Sequence, residues 1–275
     1  MDTKPHTIIT ASDVRCGDFL ATHWLGSLRQ NVVLDRVDVV VLDFGLTASQ
    51  RSALDGVGAV RVRCEGKAKV SRYAETTRFL EKHHYDQVLA VDCGDLIFQR
   101  DVSHLFEFQK DRIRGVLERY PIPLPILLRG TGGRLRRSIR EKLRGRSMVN
   151  VGFLLGPSEK MQELGRTVGR YADDLEHDQP LVSCLLYESG FEALDGTYNF
   201  VPWTARQSFY VENGIFHTSD GERPAVVHNT GLRDPFRIVR DFGYGPGHNQ
   251  HIRTPYLRVA SAWSRFRSFT RGREL

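Results

Sequence analysis

No apolar run in the 275-residue chain approaches the roughly 18 residues that a membrane-spanning helix needs; VDVVVLDF is too short and PIPLPILL is broken by proline. The amino terminus, MDTKPHTIITASD, has no apolar core of the signal-peptide kind, so a cytoplasmic protein is expected. Cysteine is scarce too. Cys16, Cys64, Cys93 and Cys184 lie far apart, without the short paired spacings of a zinc site, and read as reduced thiols. Internal repeats, low-complexity tracts and Pro-, Gly- or Ser-rich linkers are all missing. That favours one continuous domain, residues 1–252, with a short tail, residues 253–275.

The charge that is present is unevenly placed. The formal net charge is +6, yet residues 129–146 hold eight basic groups against one acid and residues 253–275 hold six against one. The rest of the chain is therefore acidic. A uniform basic excess would suggest nucleic acid; two basic attachments on an acidic body do not, because the body would repel a duplex.

The first half alternates short β-rich runs with helical stretches: HTIITAS, VDVVVLDF, AVRVRC and QVLAVD as strands, CGDFLATHWLGSLRQN, SQRSALDG and SRYAETTRFLEKHHYD as helices. Strand–helix alternation implies an α/β fold with a mainly parallel central sheet flanked by helices. Further on, RIRGVLERY and MVNVGFLLG read as strands and the Arg-rich stretch as a helix or loop. Two helices broken near Asp178 follow, then a turn at Asn213-Gly214 and a strand PAVVHNTG.

In such sheets ligands bind beyond the carboxyl ends of the strands, so the polar residues just after each strand carry most information. Asp92 and Asp95 follow QVLAVD, where two carboxylates can hold a divalent cation, Mn²⁺ or Mg²⁺, that neutralises a diphosphate. Acids at such a place also serve as turn and cap residues. His228 ends a second strand; a neutral imidazole can ligate the same cation, although alone such a residue is more often a hydrogen-bonded strand-end histidine. Beyond it, Gly231 lets backbone approach a phosphate and Arg233 can grip phosphate oxygens in pairs. Asn150, and the Asp178-Gln179 pair, are polar insertions beside apolar runs.

The order and spacing of these pieces resemble the GT-A-fold glycosyltransferases, most closely the glycogenin and lipopolysaccharide galactosyltransferase group of family 8, over most of residues 6–240. Thr10-Ala11-Ser12-Asp13 is similar to the family's nucleotide-base turn, which implies base contacts for Ala11 and Asp13. Tyr73-Ala74-Glu75 stands where the family has Tyr-Ala-Arg, so Arg72 or Arg78 would have to supply the donor-contacting arginine. DVSHL matches the run after the family's Asp-x-Asp metal motif, which puts Asp95 at the second aspartate, Cys93 at the first and Asp92 one residue earlier. Asn150 with Gly152 resembles an Asn-x-Gly donor contact, and Asp178-Gln179 the pair near the transferred sugar. His228 through Pro235 resembles the His-x-x-Gly-x-Lys-Pro element, with Arg233 for lysine.

The resemblance implies transfer of a sugar from a nucleotide-sugar, a UDP-sugar, to a hydroxyl of a bacterial surface glycan, lipid-linked or protein acceptor, with retention. The cation would be held by Asp92, Asp95 and His228, with Asp178 and Gln179 near the anomeric carbon. Residues 129–146 and the tail, where Leu257, Trp263, Phe266 and Phe269 stand among arginines, suit an acidic acceptor or an anionic membrane surface that would make the enzyme peripheral to the membrane. The more common fate of such a basic run is a solvated helix or loop, and the tail reads equally as packed back on the enzyme. Two rival classes are a nucleotidylyltransferase of related fold, against which stands the lack of a Gly-rich segment near the amino terminus, and a nucleic-acid-binding module using the Arg clusters.

Overall fold

The computed structural model describes residues 4–56, 58–119, 122–171, 175–205, 207–230, 237–248, 250–256, 258, 259 and 262. The chain begins with β1 (His6–Ser12), α1 (Val14–Phe19), a π-helical turn over Leu20–Trp24 and α2 (Leu25–Asn31). Next come β2 (Val37–Asp43), α3 (Ala48–Asp55), β3 (Val60–Arg63), α4 (Ala68–Lys82), β4 (Gln87–Val91) and β5 (Leu96–Phe98). The middle holds β6 (Arg114–Glu118), α5 (Leu124–Leu127), α6 (Gly133–Lys142), β7 (Met148–Pro157), α7 (Ser158–Gly169) and α8 (Gln179–Ser189). Short strands finish it: β8 (Glu192–Leu194), β9 (Phe209–Glu212), β10 (Ile215–Thr218), β11 (Val226–His228), β12 (Val239–Arg240) and β13 (His251–Ile252).

Seven strands form the main sheet in the order β3-β2-β1-β4-β7-β6-β8. The first four are mutually parallel, as strand–helix alternation predicts, but β7 runs antiparallel to both β4 and β6. The sheet is buried on both faces. Ile8 and Leu89 point into one apolar cluster while their neighbours Ile9 and Val88 point into the other, so the strands read as continuous hydrophobic runs.

Local chemistry sets the ends of the elements. Asp13 caps α1 by accepting from the Arg15 amide, and Thr47 and Gln50 form a reciprocal capping box at α3. Asn213 and Gly214 both take positive φ, 50° and 78°, which makes the tight β9–β10 hairpin their sequence predicts. The single helix expected over CGDFLATHWLGSLRQN is interrupted by the π turn, which hydrophobic periodicity does not encode. The Arg-rich stretch is helical over Gly133–Lys142. Among the described residues no helix is long and apolar enough to cross a membrane. Leu257, Trp263, Phe266 and Phe269 of the tail lie outside the described residues.

Candidate active site

The parallel strands deliver their carboxyl ends to one edge of the sheet. β4 stops at Val91 and places Asp92 there, and the chain turns at once into β5, with Asp95 just before Leu96. β11 pairs antiparallel with β5 so that His228 lies opposite Leu96. The Asn229 amide bonds to the Asp95 carbonyl at 2.7 Å and extends this pairing, while the His228 amide bonds on the other side of β11 to the Phe200 carbonyl at 2.8 Å.

Asp92, Asp95 and His228 each present one ligand atom, all within 4.8 Å of one another. His228 Nε2 lies 3.6 Å from Asp92 Oδ2 and 3.2 Å from Asp95 Oδ1. The outer oxygens face guanidiniums: Arg72 Nη1 meets Asp92 Oδ1 at 2.6 Å and Arg237 Nη2 meets Asp95 Oδ2 at 3.2 Å. Each carboxylate is thus held from outside and turns its other oxygen inward, toward a buried imidazole whose nitrogens, among the described residues, make no hydrogen bond. Two carboxylate oxygens and one imidazole nitrogen are a donor set that suits a divalent cation.

Electrostatics point the same way. Burial alone would lift Asp95, but His228 and then Arg237 outweigh it and hold the carboxyl below its ordinary range. Burial alone would depress His228, yet the facing Asp95, and Asp92 beside it, raise the imidazole. The two carboxylates thus favour positive charge at the imidazole that they face. Gly152, on β7, leaves room for it: a β-carbon there would sit 2.2 Å from His228 Cε1 and 2.8 Å from Asp92 Oδ2.

Cys93, which aligns with the first metal aspartate of the resembled motif, turns away. Its Sγ donates to the Ala11 carbonyl at 3.3 Å, and burial pushes the thiol up to about 12, so it offers no thiolate. Asp92 faces the site instead, and its carbonyl accepts from Trp24 Nε1 at 3.1 Å. The π turn that ends at Trp24 is thereby tied to the floor of the site.

Arg72 also reaches across the cleft. While Nη1 holds Asp92, Nη2 holds Asp178 Oδ2 at 2.6 Å, and the Tyr73 hydroxyl donates to the same Asp178 oxygen at 2.9 Å. Burial works against the Asp178 carboxylate, but Arg72 and Tyr73 outweigh it and keep its pKa low. Arg78 goes elsewhere on α4 and pairs with Glu75. Of the two arginines that could replace the displaced one, Arg72 is the one among these carboxylates.

A second hub forms around Glu118, at the end of β6. This buried carboxylate accepts from Asn150 Nδ2 at 2.7 Å, Gln179 Nε2 at 2.9 Å and Thr204 Oγ1 at 3.0 Å. Asn150 Oδ1 in turn accepts from the Gly152 amide at 2.9 Å. Asn150 and Gln179, far apart in sequence, thus share one acceptor. Asp13 lies at the end of β1, where its carboxylate caps α1 and pairs with Arg15. Gly231 and Arg233 lie outside the described residues.

Three residues here escape sequence reasoning. Glu118 is the last residue of a strand that the sequence does reveal, but its partners Asn150 and Gln179 come from distant segments. Tyr73 belongs to a helical apolar stripe, and Arg237 follows no recognisable element, so neither carries a readable signal.

Comparison with protein-family models and with curated proteins finds no match. Among solved structures, a crystal structure of an active-site mutant of LgtC superposes with a TM-score of 0.56 at 18% identity, over 93% of this chain and 95% of that one. At that identity the likeness establishes the fold: an α/β architecture with a mixed central sheet flanked by helices, resembling that of a GT-A glycosyltransferase.

Proposed function

We propose that this protein is a metal-dependent glycosyltransferase that moves a sugar from a nucleotide-sugar, a UDP-sugar, to a hydroxyl of a glycan, lipid-linked or protein acceptor, with retention. The observation that carries the reading is the inward-facing set of Asp92 Oδ2, Asp95 Oδ1 and His228 Nε2 at the carboxyl edge of a GT-A-like sheet. A divalent cation held there, Mn²⁺ or Mg²⁺, supplies Lewis-acid charge to a leaving diphosphate.

The remaining roles fall to the chain's own side chains. Ala11 and Asp13 meet the nucleotide base, while Gly231 and Arg233 approach the diphosphate. Arg72 holds Asp92 and Asp178 at a fixed separation, so the metal side and the sugar side move as one unit. Asp178, already engaged by a guanidinium and a phenol, orients the donor sugar rather than attacking it. Glu118 positions the amides of Asn150 and Gln179 toward the same sugar. Such a division of labour lowers the barrier mainly by preorganised charge and positioning. The enzyme works on the cytoplasmic side, its basic tail against an anionic membrane.

A screen of nucleotide-sugars for Mn²⁺-dependent hydrolysis without acceptor tests the proposal and names the donor. UDP should raise the melting temperature only when Mn²⁺ is present, and folded Asp95→Ala and His228→Ala variants should lose both effects. Undiminished, metal-independent turnover in those variants would sink the mechanism.

A further inference from the structure

The connection between β6 and β7 leaves the sheet at Glu118 and returns close to Asn150, the two residues bonded to each other at the candidate site. It folds α5 and α6 around a separate cleft of about 410 Å³. Arg136, Arg137, Arg140 and Arg144 line this cleft, with Leu124 on one wall and Glu141 as the acid in its lining. Arg136 and Arg140 stand one turn apart on one face of α6, and Arg144 lies in the turn that follows the helix. The segment is anchored beside this row, since Ile139 and Leu143 are buried in the core and Leu143 also reaches the cleft wall.

Like charges four residues apart on a helix repel, and in the lining the single acid Glu141 stands against four guanidiniums. Glu188, on neighbouring α8, is already engaged by Lys142 at 3.3 Å. Among the described residues none of the four guanidiniums makes an ion pair. On a convex surface such charges would spread into water. Here they converge on a concavity.

We propose that this cleft is a phosphate-binding site, taking a diphosphate or a pair of phosphomonoesters carried by the acceptor. Guanidinium forks match phosphate oxygens bidentately, and several forks around one hollow fit a discrete group better than the plane of a bilayer. The word acceptor rests on the glycosyl-transfer reading; the phosphate site does not.

The test is calorimetric titration of the full chain with inorganic pyrophosphate, in low salt with a chelator so that no divalent cation contributes. Binding should weaken steeply with added salt and fall about tenfold or more in Arg137→Ala/Arg140→Ala, whose replaced side chains are exposed. It should be unchanged in Asp95→Ala, which separates this cleft from the cation cluster. No pyrophosphate binding to the natural chain, equal binding to the double variant, or loss in Asp95→Ala alone would overturn the proposal. So would sedimentation with phosphatidylglycerol vesicles without any affinity for pyrophosphate, since that identifies a bilayer surface. Pyrophosphate binding by a chain that turns over no nucleotide-sugar would keep the site and overturn its acceptor role.

Discussion

Gly152 and His228 are so close that a single added carbon on the glycine would lie 2.2 Å from the imidazole Cε1. The same carbon would come within 2.8 Å of Asp92 Oδ2. Gly152→Ala therefore drives a methyl group against the imidazole and the Asp92 carboxylate that supply two of the three ligand atoms. Overpacking of this kind costs about 1–3 kcal/mol, and affinity for Mn²⁺, read by calorimetry, should drop by about tenfold or more while circular dichroism shows the fold retained. Unchanged Mn²⁺ affinity would mean that the cluster is not the cation site.

Arg72 holds two carboxylates with two different nitrogens, Asp92 through Nη1 and Asp178 through Nη2. A lysine keeps the charge but offers one point of attachment. Arg72→Lys should accordingly lose about 10- to 100-fold in kcat, close to the loss in Arg72→Ala. Arg78→Ala, at a side chain paired on the outer part of the same helix, should stay within about twofold. Steady-state kinetics with the donor found by the screen gives both numbers.

Stability should fall in acid partly through Asp43. Burial works to raise this carboxyl, but Arg51 and the Leu46 and Gly45 amides outweigh it and hold its pKa below the ordinary value. A group depressed on folding contributes stability that is complete above its unfolded pKa, about 3.9, and is lost as pH falls through the folded value. Urea unfolding at pH 7 and at successively lower pH should show a decline below about pH 4 that is shallower in Asp43→Asn. Parallel declines in the two proteins would remove Asp43 from the account.

Arg114 is fully buried and faces carbonyls and an amide rather than an acid: it donates to the Leu105 carbonyl at 2.9 Å, to the Phe108 carbonyl and to Gln87 Oε1. Burial pulls its pKa down to about 10. Arg114→Ala strands all three acceptors and leaves a cavity, so unfolding free energy should fall by about 2–4 kcal/mol. Arg114→Lys should recover part of that, because one ammonium can still reach one or two of them. Denaturant titration decides between them.

Much of this architecture is readable in the residues because it follows from local pattern. QVLAVD is apolar enough to be a buried strand, so the acids after it had to lie at its exposed end, and a strand ending in His228 offered the third ligand type. The antiparallel insertion of β7 was not readable, because burial on both faces leaves strand direction without a periodic signature. Glu118 and Arg237 were missed for another reason. Their environment depends on pairings between distant segments, and neither residue announces a buried partner in its own neighbourhood. Arg72 stands between these cases: the displaced arginine suggested it, but only the rotamer reaching both Asp92 and Asp178 separates it from Arg78.

The register of β11 against β5 also governs when the site can exist. Asp92 and Asp95 emerge from the ribosome early, together with the parallel strands that support them, whereas His228 comes more than a hundred residues later. Until that late segment docks, the two carboxylates and Arg72 stand without the imidazole and without Arg237. A growing chain is thus unable to bring Asp92, Asp95 and His228 together until synthesis has passed the whole of the seven-stranded sheet.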